Sequence, residues 1–269
     1  MGSASLLETL RPYGRAWAIQ RRVIGALLIR EILTRFGRHN IGFLWIFAEP
    51  MLFTVGVTLL WTAFKTTHGS DLPITAFAVS GYSSVLLWRN MPGRCIKAID
   101  PNLPLMYHRH VKVIDIFFSR LLLEAAGATL SFMILILLFS FIGWMDFPED
   151  VLKVAWGWVM LAWFGSSLGI LLGCLAEESE VVDKFWHPIS YFLLPLSGAA
   201  YLVDALPKDL QEIVLILPLV HGTELVREGF FGSKITAYYD MGYLGAINLG
   251  LSFAALALTR RISRKVVPE

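Results

Sequence analysis

The sequence predicts an all-α integral membrane protein. It has six transmembrane helices, an N-terminal interfacial helix, a re-entrant or external helical pair before the last span, and both termini in the cytoplasm. Three observations carry this expectation. Of 269 residues, 56% are hydrophobic and 16% charged, against roughly 45–50% and about 25% in a soluble domain. Six runs approach the ~20 apolar residues needed to cross the hydrocarbon core of a bilayer. Lys and Arg fall unevenly on the segments between those runs, which fixes orientation.

Taken in order, residues 1–40 form a cytoplasmic segment that carries seven arginines and no apolar core followed by a small-residue cleavage site. The N-terminus is therefore expected to stay where it was made. Within this segment, Ala16 to Phe36 places Ile24, Leu28, Ile32 and Phe36 on one side at helical spacing, but Arg21, Arg22, Arg30, Glu31 and Arg35 are too dispersed for a buried span. A helix lying along the inner leaflet fits that pattern. Residues 41–260 hold the spans: Ile41 to Phe64, Leu72 to Trp88, Ile114 to Trp144, Val154 to Ala176, Phe185 to Val203 and Met241 to Thr259. Residues 261–269 are a basic cytoplasmic tail. With the N-terminus inside, 17 of the 23 Lys and Arg residues are cytoplasmic, 5 are outside, and Arg120 lies in a span.

Two further segments are apolar but not spans. The stretch MPGRCIKAIDPNLPLMYHRHVKVID after the second span is broken by Pro92, Pro101 and Pro104, which predicts a compact basic hairpin with room for one short helix. Between Asp209 and Phe231, the charge-free run Ile213 to Thr223 is only eleven residues long and contains Pro218. It predicts a helical pair on the outer side that does not cross.

Function classes fall away next. A net charge of +2 gives no basis for nucleic-acid binding. Cys95 and Cys174 are read as free cytoplasmic thiols, and no Cys/His spacing suits a metal. No G-x-x-x-x-G-K-[ST] occurs, so any ATP must be handled by another subunit. Gly165-Ser166-Ser167-Leu168-Gly169 matches a nucleophile elbow, but that motif needs a strand-to-helix turn. Gly165, Gly169 and Gly173 read better as a small-residue face for a neighbouring helix, within the subunit or across a dimer. A hydrolase using Ser167 and His187 is thereby disfavoured, and no catalytic residue is expected.

The intramembrane charges are a sharper signal. Glu49 is eight residues in from Ile41, about 12 Å deep at ~1.5 Å per residue; Arg120 and Glu124 are six and ten residues in from Ile114. These depths allow a Glu49–Arg120 ion pair. Structural pairing or snorkelling of Arg120 is one reading, and a direct substrate or proton role for Glu49 and Glu124 is the other. Tyr82, Trp163, Tyr191 and Phe192 lie deep enough to face a path for sugar rings, with Trp45 assigned to the same path. A basic rim at Arg35, Arg38, Arg89 and Arg94 would attract an anionic glycan as well as anionic headgroups, and the headgroups are the favoured reading. The tryptophans near span ends, Trp45 among them, are accounted for by the interfacial belt without any ligand.

The order of features resembles the permease subunit of type-2 ABC exporters of capsular polysaccharide, the KpsM type. The residues that carry the likeness are REILTRFG at Arg30 to Gly37, running into Gly42-Phe43-Leu44-Trp45 and Glu49-Pro50. Tyr107 to Glu124 (YHRHVKVIDIFFSRLLLE), Pro218-Leu219-Val220-His221, Glu224-Leu225 and Arg227-Glu228 complete it. Arg109-His110 departs from the family's common Arg-Pro. The resemblance implies a homodimer bound to two cytoplasmic ATPase chains that hold ATP and Mg, and a lipid-linked acidic polysaccharide moved from the inner leaflet. Export would continue into a periplasmic adaptor and an outer-membrane channel, and no cofactor would be bound by this chain. It further implies an ATPase-coupling hairpin with Arg94, Lys97, Leu105, Tyr107, His108 and Arg109, and an exit cap with His221, Glu224 and Arg227. Export of O-antigen or teichoic acid, and an ion-coupled transporter using Glu49 and Glu124, are the alternatives.

Overall fold

A computed structural model describes residues 3–36, 44–64, 72–107 and 111–266. Among these there are ten α-helices: α1 (Ser3–Phe36), α2 (Trp45–Phe64), α3 (Ile74–Cys95), α4 (Leu103–Met106), α5 (Val113–Phe141), α6 (Val151–Glu178), α7 (Glu180–Leu196), α8 (Lys208–Val214), α9 (Pro218–Phe231) and α10 (Met241–Val266). The described residues contain no strand.

Four of these helices, α2, α5, α6 and α10, are long and apolar enough to cross a membrane. The other two expected spans are helical but differ in kind. Helix α3 carries Ser80, Ser83, Ser84, Arg89, Asn90 and Arg94 and is buried along nearly its whole length. It packs against α2, α5, α6, α7 and α9. A helix wrapped by protein on all sides need not be apolar, and that is why composition understates it. Helix α7 has 17 residues with Pro188 and Pro195 inside it. It begins at Glu180 and ends at Leu196, short of the expected Val203, because residues 197–202 turn away before a 3-10 turn at Val203–Ala205.

Helix α1 is longer than expected and reaches back to Ser3. Its Leu27 is buried and Ile24, Leu28 and Ile32 are half-buried where it packs on α5, while Ile29 and Leu33 on the other side are exposed. The side chain of Phe36 and all of Arg38, His108 and Arg109 lie outside the described residues. Pro92 does not end α3, since it occupies the last turn before Cys95. The hairpin that follows has a 3-10 turn at Asp100–Asn102 and the single short helix α4. The expected outer pair is α8 and α9, with Pro218 at the first position of α9, where its missing N–H costs nothing. Helix α10 continues seven residues past Thr259, so the basic tail up to Val266 is an extension of the last span.

The α6 glycines pack inside the subunit. A Cβ at Gly165 would lie 2.7 Å from the Trp88 Cα, and one at Gly173 would lie 2.7 Å from the Phe117 ring. Removing those side chains lets α6 lie directly on α3 and α5. Ser167, in the same stretch, is helical on both sides and hydrogen-bonds the Ser252 hydroxyl of α10 at 2.8 Å. It has neither the turn nor the histidine that a nucleophile would need.

Candidate functional site

Four helices meet at the end of the bundle where α1 lies, and each brings charge. Pro50 sits one turn into α2 and has no N–H to give the Ile46 carbonyl. Gly127 of α5 comes up against that same carbonyl: a Cβ there would be 2.6 Å from it. The close approach holds the start of α2 against α5 and sets Glu49 beside the ends of α1 and α3.

The carboxylates are bridged by two arginines. Arg35 of α1 reaches Glu49 at 3.2 Å and also pairs with Glu124. Arg94, in the last turn of α3, pairs with Glu124 at 2.9 Å and with Glu49 at 3.7 Å. Glu124 is nearly buried, with 9% of its side chain exposed, whereas Glu49 keeps 58%. The expected Glu49–Arg120 pair is replaced by another arrangement. Arg120 binds Glu31 of α1 at 3.2 Å and donates to the Arg94 carbonyl at 2.8 Å. Depth along a span fixes height but not azimuth, so the sequence placed these groups at one level without choosing their partners.

The same region ties down the hairpin. Arg30 donates to Asn102 and, at 3.1 Å, to the Pro101 carbonyl, which joins α1 to the start of α4. Gln20 of α1 hydrogen-bonds Asp115 at the start of α5. Lys97, with a left-handed φ of 54° just after α3, pairs with Asp183 of α7. Its pKa is raised, first by that hydrogen bond and then by the Asp183 charge. At the hairpin tip Leu105 is half-buried and Tyr107 is 83% exposed. The hairpin is thus anchored at its base to α1 and α7 and open at its tip.

The aromatic and basic residues expected along a path separate into two groups. Tyr82 is buried, with Trp61 edge-on at 5.2 Å and Phe53 beside it. Trp163 donates its indole N–H to Ser252 at 2.9 Å. Both are committed to packing within the chain. Trp45, Tyr191 and Phe192 are exposed. Arg89 stacks its guanidinium 4.5 Å from the centre of the Tyr191 ring. It also bonds the Ser190 carbonyl at 3.3 Å and lines a 240 Å³ cavity with Arg94, Trp186 and His187 between α3 and α7.

At the opposite end, His221, Glu224 and Arg227 of α9 are buried. They face the chain's own backbone, so a cap made by direct contact with cargo does not fit these three. Arg227 donates to the carbonyls of Tyr201 and, at 2.6 Å, Ala199, and lies 3.9 Å from the centre of the Phe77 ring. Glu224 accepts the N–H groups of Val203 at 3.4 Å and Tyr238 at 3.2 Å. Burial pushes its carboxyl above the ordinary range against the opposing Arg227 charge and those two bonds. Gly81 makes the room: a Cβ there would lie 2.6 Å from the Ala199 carbonyl and 2.8 Å from the Arg227 guanidinium. His221 Nδ1 accepts the Asp240 N–H at 2.8 Å, so Nε2 carries the proton and donates to the Leu215 carbonyl at 2.8 Å. Burial lowers its pKa and keeps the ring neutral.

Sequence reasoning missed Glu31, Asn102, Gln20 and Asp115 as members of the α1-end site. One signal was available. Glu31 and Arg35 are spaced i, i+4 on α1, and Arg120 and Glu124 are spaced i, i+4 on α5 in the reverse order of charge, so the two helices match side by side.

Sequence relatives match nearly the whole chain. A capsule polysaccharide export inner-membrane protein, CtrC, of Neisseria meningitidis serogroup A is 43% identical over 251 residues, covering 93% of this chain and 95% of its own length. BexB of Haemophilus influenzae, described in the same words, is 40% identical over 257 residues, 96% and 97% of the two chains. The polysialic acid transport protein KpsM of Escherichia coli is 28% identical over 249 residues, 90% and 94%. Residues 22–231 match the ABC-2 type transporter family, from within α1 to the end of α9, and the chain belongs to that family.

Proposed function

We propose that this chain is the transmembrane subunit of an ATP-driven exporter in the bacterial inner membrane. It moves lipid-linked acidic capsular polysaccharide as a homodimer with two separate ATPase chains. The observation that carries the reading is the 43% identity to a capsule polysaccharide export inner-membrane protein across 93% of this chain. The absence of a P-loop from the sequence supports a driving partner that supplies ATP and Mg.

In this reading α2, α3, α5, α6, α7 and α10 all cross, and the α1 end is cytoplasmic. The Lys and Arg excess on that side supports the orientation. The ATPase docks on the open hairpin tip around Leu105 and Tyr107. Movement of the tip is passed on by three links: Arg30–Asn102 to α1, Lys97–Asp183 to α7, and the Arg94 bridge to Glu49 and Glu124. Glu49 and Glu124 act in coupling rather than in proton transport, since each already faces two arginines. Arg89 with the exposed Tyr191 and Phe192 offers cationic and flat aromatic surface to an anionic glycan. The open face of α7 and the thinly covered α2 suit contact with a second copy, and the glycan leaves toward a periplasmic adaptor and an outer-membrane channel.

Deleting the gene should remove capsule from the surface and leave polysaccharide inside the cell. Normal surface capsule would overturn the proposal. Leu105→Ala with Tyr107→Ala should abolish co-purification with the ATPase while the permease still reaches the membrane.

A further inference from the structure

A cavity of 650 Å³ lies outside the site above, where the start of α5 meets the end of α10. Its floor is apolar: Met106, Val113, Ile114 and Leu256. Its rim carries Lys112, Arg260 and Arg264, each exposed. Lys112 has Asp115 of α5 close by, whereas Arg260 and Arg264 have no carboxylate partner among the described residues.

The contrast with the neighbouring cations is informative. Arg261 and Lys265, on the adjacent face of α10, both pair with Glu178, at 3.1 and 3.0 Å. Arg260 and Arg264 have the same i, i+4 spacing and face the cavity with no counter-charge. Like charges at that spacing repel, and the basic end of α10 sits against the first turn of α5. A predominantly cationic rim over an apolar floor matches an amphiphile with an anionic head.

We propose that this cavity binds an anionic membrane phospholipid, its phosphate held by Lys112, Arg260 and Arg264 and its first methylenes lying along Ile114 and Leu256. Basic pockets between spans on the cytoplasmic side suit such headgroups. The lipid would clamp the exit of the hairpin, at Met106 and Lys112, to the last span. The inference rests on the cytoplasmic placement of the α1 end.

The test uses the purified full-length chain in detergent with added cardiolipin or phosphatidylglycerol, read by native mass spectrometry. Phosphatidylcholine is the zwitterionic comparison. Wild type should retain the anionic lipids in preference. Each surface cation counts for about fivefold near anionic lipid, so Lys112→Gln with Arg260→Gln and Arg264→Gln should bind roughly a hundredfold more weakly. The single Arg260→Gln should lose about fivefold, which keeps the test open if the triple variant folds poorly. Arg261→Gln with Lys265→Gln should bind as wild type. Equal retention of phosphatidylcholine, no loss in the triple and single variants, or a loss as large in the control pair would overturn the proposal. So would a bound mass belonging to a glycan-linked lipid. Labelling of Lys265→Cys in intact cells by an impermeant maleimide would instead break the orientation and leave the lipid measurement standing.

Discussion

The two ends of the bundle use buried charge in opposite ways. At the α1 end, two carboxylates share two arginines drawn from different helices, and Glu49 and Arg94 keep much of their side chains in contact with solvent. At the α9 end, Glu224 and Arg227 are fully buried, 4.0 Å apart on one helix, and nearly all their partners are backbone groups of fixed position. Side chains shared among four helices can exchange partners as the helices shift. A guanidinium clamped to two carbonyls and stacked on a ring cannot. The first arrangement suits a joint that moves, and the second suits a fixed corner.

The widest test of this contrast is Arg227→Met. It leaves Glu224 buried without its cation, a change that costs about 3–5 kcal/mol, and thermal unfolding of the purified chain should show a large loss. Glu124→Gln at the other end should cost less, about 1–3 kcal/mol, yet should uncouple ATP hydrolysis from transport in the reconstituted complex. Similar in size is Gly127→Ala, which forces a Cβ against the Ile46 carbonyl and costs about 1–3 kcal/mol as overpacking. Glu49→Gln should change stability by no more than about 1 kcal/mol, as expected of an exposed pair. Charge exchange sharpens the partner assignment: Glu31→Arg with Arg120→Glu should restore coupling relative to either single change, and Glu49→Arg with Arg120→Glu should not.

The smallest expected effect is a pH dependence at the fixed corner. Burial lowers the His221 pKa below its ordinary value of about 6.5, so the unfolded chain binds a proton more readily than the folded one. The stabilisation is full above about pH 6.5 and is lost as pH falls from there through the lower folded value. His221→Gln should flatten that part of the unfolding profile.

The apolar helices were legible in the sequence because α2, α5, α6 and α10 carry the signal in their own residues. Helix α3 was legible only over its first two-thirds, since Arg89 to Cys95 is polar enough to read as loop and is helical because α5, α6 and α7 surround it. The charged residues of the α1-end site stood out at Glu49, Arg120 and Glu124. Their partners did not, because the rotation of each helix about its axis is decided by tertiary packing, and Arg35 and Arg94 looked like rim charges. The burial of His221, Glu224 and Arg227 was not legible either. It depends on Gly81 and on the carbonyls of residues 199 and 201, which are distant in sequence.

The enclosure of α3 also bears on how the chain is made. Helices α2, α5, α6 and α10 are greasy enough to leave the insertion machinery unaided, whereas α3 and α7 carry serines, prolines and charges that lipid would reject. Each of these reluctant helices directly follows a self-sufficient one, α3 after α2 and α7 after α6. With α3 and α7 crossing as proposed, integration is expected to proceed in pairs, with the leading helix holding its follower at the translocon until α5, α6 and α9 arrive to close around α3.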